Sequence, residues 1–111
     1  MLPARVGGRC SIGIVLAVLA CVAPGAAYGA NYRVIIEGTS FNPPTLKVKS
    51  GDTVVWVNKD PFPHTATSRD GRFDSRTIAP EKSWRYRTGK AGVFPYFCTL
   101  HPTMKGTLVV E

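Results

Sequence analysis

Apolar and polar positions alternate with a period of two through most of the chain beyond residue 30. Tyr32, Val34 and Ile36 share one parity of the segment 31–37, and Leu46 and Val48 alternate with Lys47 and Lys49. Successive side chains leave a strand on opposite faces, so this alternation predicts half-buried strands. Residues 53–58, TVVWVN, are β-branched and aromatic with hardly a polar break, which predicts a strand central in its sheet or buried on both sides. In 83–87, Trp84 and Tyr86 alternate with charged neighbours, and 93–98 and 106–111 read as the last two strands.

Between these runs lie strong breakers. KSGD at 49–52 and TGKAG at 88–92 are turn sequences, and 68–74 is polar with Gly71, a surface loop. Asp60, Pro61 and Pro63 forbid continuation of the strand before them and hold an irregular loop that delivers His64. No helical period and no internal repeat stands out. Seven or so short strands at close spacing predict an all-β, antiparallel sandwich whose loops gather at its two ends.

The first thirty residues differ in kind. Arg5 and Arg9 precede an uncharged apolar run from Ser11 to Ala23, followed by the small-residue stretch PGAAYGA. The run falls short of the roughly 20 apolar residues a membrane span needs, and the order of parts is that of a secretory signal peptide. Cleavage after Gly29 places Ala27 and Gly29 at the two small-residue positions, whereas cleavage after Ala30 puts bulky Tyr28 at one of them. The expected division is therefore a signal peptide over 1–29 and one domain over 30–111, in an exported, periplasmic protein. VLAC, ending at Cys21, is a competing lipoprotein-like feature that would anchor the chain through Cys21.

Without the first 29 of its 111 residues the chain keeps 82, enough for one modest core that benefits from a metal, a disulfide or a partner. Cys10 and Cys21 fall in the leader, so Cys98 is left without an internal disulfide partner. A lone thiol in an oxidising compartment calls for burial or a metal. Removing Arg5 and Arg9 from the 14 basic residues leaves 12 against 7 acidic ones, a net charge of +5. The cations are scattered and the leader directs the chain away from nucleic acid, so the excess is read as a solvated surface or as steering toward an acidic protein partner.

Cys98, His101 and Met104 stand three residues apart in YFCTLHPTMKG, and the only other histidine, His64, sits on the proline-rich loop. A tight loop can turn the first three toward one point, with His64 as the fourth donor. A thiolate, two imidazoles and a thioether form the donor set of a type-1 copper site, trigonal His2Cys with a long axial Met. Soft sulfur suits Cu(I) while imidazole also serves Cu(II), so one site accepts both oxidation states with little rearrangement. Zinc competes for Cys and His, but a thioether is a poor zinc ligand.

FNPPTLKVKSGDTVVWVNKDPFPH and YFCTLHPTMKGTLVV resemble the two signature regions of the cupredoxins, the blue copper proteins. The short Cys-x2-His-x2-Met loop is similar to that of the amicyanins, with plastocyanins as longer-looped relatives. The likeness covers essentially all of 30–111. It implies a Greek-key sandwich binding one copper ion, with His64, Cys98, His101 and Met104 as ligands, that shuttles single electrons. It also implies that His101 reaches the surface within an apolar patch, for which Pro61, Phe62, Pro63, Leu100 and Pro102 are the neighbours in sequence. Lys59, Arg69, Arg72 and Lys105 are candidates for its charged edge. Two departures stand out. Amicyanins and plastocyanins usually carry Asn after the first His ligand, tying the ligand loops together, where this chain has Thr65, whose shorter arm must reach Thr99. The Thr65 N–H is expected to donate to the Cys98 sulfur, while Pro102 has no N–H to offer.

The expected function is that of a one-electron carrier and not an enzyme. Its partners would be transient redox proteins, a dehydrogenase or a c-type cytochrome for example, with an acidic docking surface; no nucleic acid, no membrane span and a monomeric state are expected. Multicopper oxidases and nitrite reductases need further histidines, and no free histidine remains as a base. The alternative is a periplasmic copper scavenger or chaperone using the same ligands. Trp56 and Trp84 are read as packing residues, and Gly51 and Gly106 as turn or strand-entry residues.

Overall fold

The computed structural model describes residues 29–111; the signal peptide read from the sequence, Cys10 and Cys21 lie outside the described residues apart from Gly29. Eight strands follow one another: β1 (Asn31–Ile36), β2 (Phe41–Asn42), β3 (Thr45–Val48), β4 (Thr53–Asn58), β5 (Thr67–Ser68), β6 (Ser83–Arg87), β7 (Gly92–Phe97) and β8 (Lys105–Val110). They form two four-stranded sheets, β2-β1-β4-β6 and β3-β8-β7-β5. Among the described residues there is no helix, and hence none long and apolar enough to cross a membrane.

The sheets are mixed rather than purely antiparallel. β1 pairs in parallel with β4, and β3 in parallel with β8. After β1 and β2 the chain crosses to the other sheet to lay down β3 and returns as β4, and such a crossover brings two strands side by side pointing the same way. Period-two patterning reports which face is buried and is silent on strand direction. β2 and β5, two residues each, are too short to carry a period and are absent from the sequence reading. β4 is central, between β1 and β6, with Val54, Trp56 and Asn58 buried and the alternate residues half-buried, so it is not covered on both faces.

Inward residues of the two sheets meet in one aromatic-rich core. Trp56 packs edge-on against Tyr96, with ring centroids 5.4 Å apart at 88°, and Tyr96 meets Phe41 at 4.7 Å. Phe73, from the polar 68–74 loop, is drawn in against Trp56 and Tyr86, which is why only part of that loop is surface. Gly106 is more than a strand-entry residue. A Cβ at this position would run into the Tyr96 ring, so β8 can pass this closely over the core only as glycine. β4 and β7 both deliver their C-terminal loops to the same end of the sandwich.

Candidate metal centre

The loop after β4 is folded around a buried amide. Asn58 Nδ2 donates to the carbonyls of Phe62 (2.8 Å) and Ile78 (2.9 Å), and its Oδ1 accepts the Asp60 N–H at 2.9 Å. Prolines cannot donate to a ladder, so this side chain takes up the Asp60 N–H and the Phe62 carbonyl, while the Lys59 N–H bonds the Ile36 carbonyl at 2.8 Å. Asp60 is then turned inward. Its carboxylate accepts the N–H groups of Gly38 (2.7 Å) and Thr39 (2.9 Å), and one oxygen lies 2.8 Å from His64 Nε2. Burial alone would raise the Asp60 carboxyl, but the two backbone donors and the His64 ring outweigh it and hold the group below the usual carboxylate range.

An ionised carboxylate only accepts, so His64 carries its proton on Nε2 and presents the Nδ1 lone pair on the other side of the ring. A hydrogen-bonded carboxylate behind an imidazole is the usual means of fixing a metal-binding histidine. The backbone of His64 is pinned as well, by reciprocal bonds with Ile78 (3.2 and 2.7 Å), and the residue is fully buried.

The second loop owes its spacing to two consecutive turns. The His101 N–H donates to the Cys98 carbonyl at 3.2 Å and the Met104 N–H to the His101 carbonyl at 2.8 Å, while the Cys98 N–H closes the loop on the Met104 carbonyl at 3.1 Å. Each turn has its ends three residues apart, so Cys98, His101 and Met104 recur at turn ends. Cys98 and Met104 are buried and His101 is half-exposed.

Across the loops, Cys98 Sγ lies 3.7 Å from His64 Nδ1 and 3.8 Å from His101 Nδ1. The donor atoms of all three residues fall within 4.8 Å of one another, and the imidazole rings stand 4.8 Å apart at 50°. Three soft or borderline donors sharing a small volume, with His64 Nε2 already engaged elsewhere, fit a copper ion held by two imidazoles and a thiolate. Met104 belongs to the same loop, and its side chain packs into the core edge beneath it.

Around the thiol, the Thr65 N–H points at Cys98 Sγ at 3.3 Å. Thr65 Oγ1 accepts the Thr99 N–H at 2.9 Å and approaches Thr99 Oγ1 at 3.3 Å, so the shorter side chain does bridge the loops. Pro61, Phe62, Pro63, Leu100 and Pro102 are exposed and His101 is half-exposed, with Phe62 at 56% and Leu100 at 49%, high values for large apolar residues. The cations are partly committed. Arg69 lies over the Phe97 ring at 4.2 Å, Arg72 over Phe94 at 5.5 Å, and Lys59 pairs with Glu81 at 3.7 Å. Asn58 and Asp60 were not singled out from the sequence as site residues. The available signals were an amide ending an apolar strand and a carboxylate four residues before a histidine.

With this geometry in place, comparison with known proteins assigns the class. The chain belongs to the cupredoxin-like family, whose Cupredoxin-like domain matches residues 10–110. It is 32% identical over 81 residues to an amicyanin of Paracoccus versutus, covering 68% of this chain and 61% of that protein. It is 29% identical over 101 residues to amicyanin-alpha of Methylorubrum extorquens, covering 86% and 85%. The structure resembles the Cu(I) form of an amicyanin variant with a TM-score of 0.69 at 34% identity, over 77% of this chain and 85% of that one. The chain thus spans about three fifths of the Paracoccus relative's length. The cofactor that the family and the donor set share is a single type-1 copper ion.

Proposed function

We propose that this protein is an exported one-electron carrier in which His64, Cys98, His101 and Met104 hold one copper ion. The observation that carries this reading is the convergence of both histidine Nδ1 atoms on the Cys98 sulfur. Bound copper would supply a site that gains and loses one electron with little change of geometry. The chain's own residues do the rest. Asp60 and the Ile78 bridge hold His64 rigid, and the Thr65 N–H stabilises charge on the Cys98 sulfur. The two turns keep His101 and Met104 in register with it. A rigid donor set lowers the cost of changing oxidation state, which is what a carrier needs.

Half-exposed His101, set among Phe62, Leu100 and the neighbouring prolines, is the electron's exit. A small apolar contact edged by charge supports short-lived complexes with redox partners, and a net positive charge favours partners with an acidic surface. Monomeric behaviour, a periplasmic location and removal of residues 1–29 belong to the same reading. Titrating Cu(II) into the purified domain tests it. The expected result is an intense blue colour at one equivalent and reversible one-electron voltammetry; a colourless protein that holds only Cu(I) would indicate copper storage or delivery instead.

A further inference from the structure

Behind the ligand loops runs a chain of hydroxyls whose direction can be worked out from donors and acceptors. Asp74 Oδ1, on an exposed residue of the loop after β5, lies 3.0 Å from Thr67 Oγ1 and also accepts the Arg76 N–H at 2.9 Å. Thr67 Oγ1 lies 3.0 Å from Thr65 Oγ1, which in turn meets the Thr99 N–H and Thr99 Oγ1. A carboxylate only accepts, so Thr67 must give its one proton to Asp74. Thr67 then accepts from Thr65, and Thr65, its proton spent, offers lone pairs to both Thr99 groups. Every hydroxyl is thus oriented from the surface inward, ending on the amide of the residue that follows Cys98.

We propose that Asp74 is a positioning residue for the metal centre, setting through Thr67 and Thr65 the hydrogen-bond direction that holds the Thr99 N–H and the Cys98 loop. The contact with Arg76 explains the local turn, where Arg76 has a positive φ of 59°. The contact with Thr67 points the other way, toward the ligand strands, and an antiparallel bridge between Thr67 and Asp74 keeps the two in place. Aligned hydrogen bonds polarise one another, so a fixed acceptor at one end strengthens the bond at the other. Without Asp74, Thr65 can turn its proton toward Thr99 Oγ1, and the lone pair facing the Thr99 N–H is no longer assured.

The test has an arm independent of copper. In the metal-free protein, Asp74→Ala and Thr67→Val are each expected to speed amide exchange of Thr99 about tenfold, the effect of an ordinary hydrogen bond, relative to amides in the centre of β4. Asp74→Asn keeps an acceptor oxygen and is expected to restore protection. In the copper-loaded protein, whose use rests on the function proposed above, Asp74→Ala and Thr67→Val should shift the reduction potential in the same direction, with Asp74→Asn close to the parent. Unchanged Thr99 exchange in both Asp74→Ala and Thr67→Val overturns the proposal. So does a potential that follows charge alone, with Asp74→Asn moving as far as Asp74→Ala and Thr67→Val not at all. Failure to bind copper would remove the function while leaving the exchange result to decide this inference.

Discussion

Cys98 Sγ stands 3.7 Å from His64 Nδ1 although 34 residues separate them in the chain. Neither residue reaches the other through local structure. β4 and β7 lie in different sheets, and the sandwich brings their C-terminal ends together. Cys98 is only one of the fifteen buried apolar residues of the core that does this, so Cys98→Ala should abolish the blue band and leave the metal-free fold intact, at a cost of about 1 kcal/mol for the smaller buried side chain. Visible absorption and thermal unfolding of the variant check both halves, and loss of folding would contradict them.

Met104→Leu should retain copper and raise the reduction potential. Leucine replaces the buried thioether with a side chain of similar volume, so packing is preserved, while the weak donor that Met104 would offer in favour of Cu(II) is gone. Protein-film or solution voltammetry of the variant reads the shift; an unchanged or lower potential would remove Met104 from the axial position.

Asp60 does two things at once, and one substitution should reveal both. Asp60→Ala leaves the Gly38 and Thr39 N–H groups without their acceptor and His64 Nε2 without its partner. Metal-free stability is expected to fall by on the order of 3 kcal/mol from the stranded donors. Copper affinity should fall roughly 10–100-fold as His64 loses its orientation. Denaturant titration and competition with a copper chelator separate the two effects.

Asp52 offers a pH signature and a maturation test. Its carboxylate accepts the N–H groups of Lys49 and Ala30, both at 2.8 Å, and these bonds, with the nearby Lys49 charge, hold it below the usual carboxylate range. A lowered folded pKa means that its contribution to stability is present above the unfolded value, about 3.9, and is lost as pH falls through the folded value. Asp52→Asn should therefore be less stable at neutral pH and lose less on acidification below about pH 4. If processing leaves Ala30 first, this nitrogen becomes an ammonium facing the same oxygen, and intact mass of the exported protein should match a start at Ala30. Cleavage one residue later would forfeit both this bond and the Thr53 N–H to Ala30 carbonyl bond.

The strands that carry the fold were legible because burial imposes a period of two on 31–36 and 83–87 and fills 53–58 with β-branched and aromatic residues, and the donors were legible because Cys, His and Met are rare and sit at turn spacing. Those are local facts, and local sequence determines them: which faces are apolar, where the chain must turn, and which side chains can bind a soft metal. Tertiary structure decided the rest. Parallel pairing of β1 with β4, the inward turn of Asp60 and Asn58, and the hydroxyl chain from Asp74 to Thr99 all join segments far apart in sequence. Their hydrogen bonds exist only once two sheets have packed, because a carboxylate or a hydroxyl acquires its role from the partner that folding sets opposite it, and no period in the sequence encodes that partner.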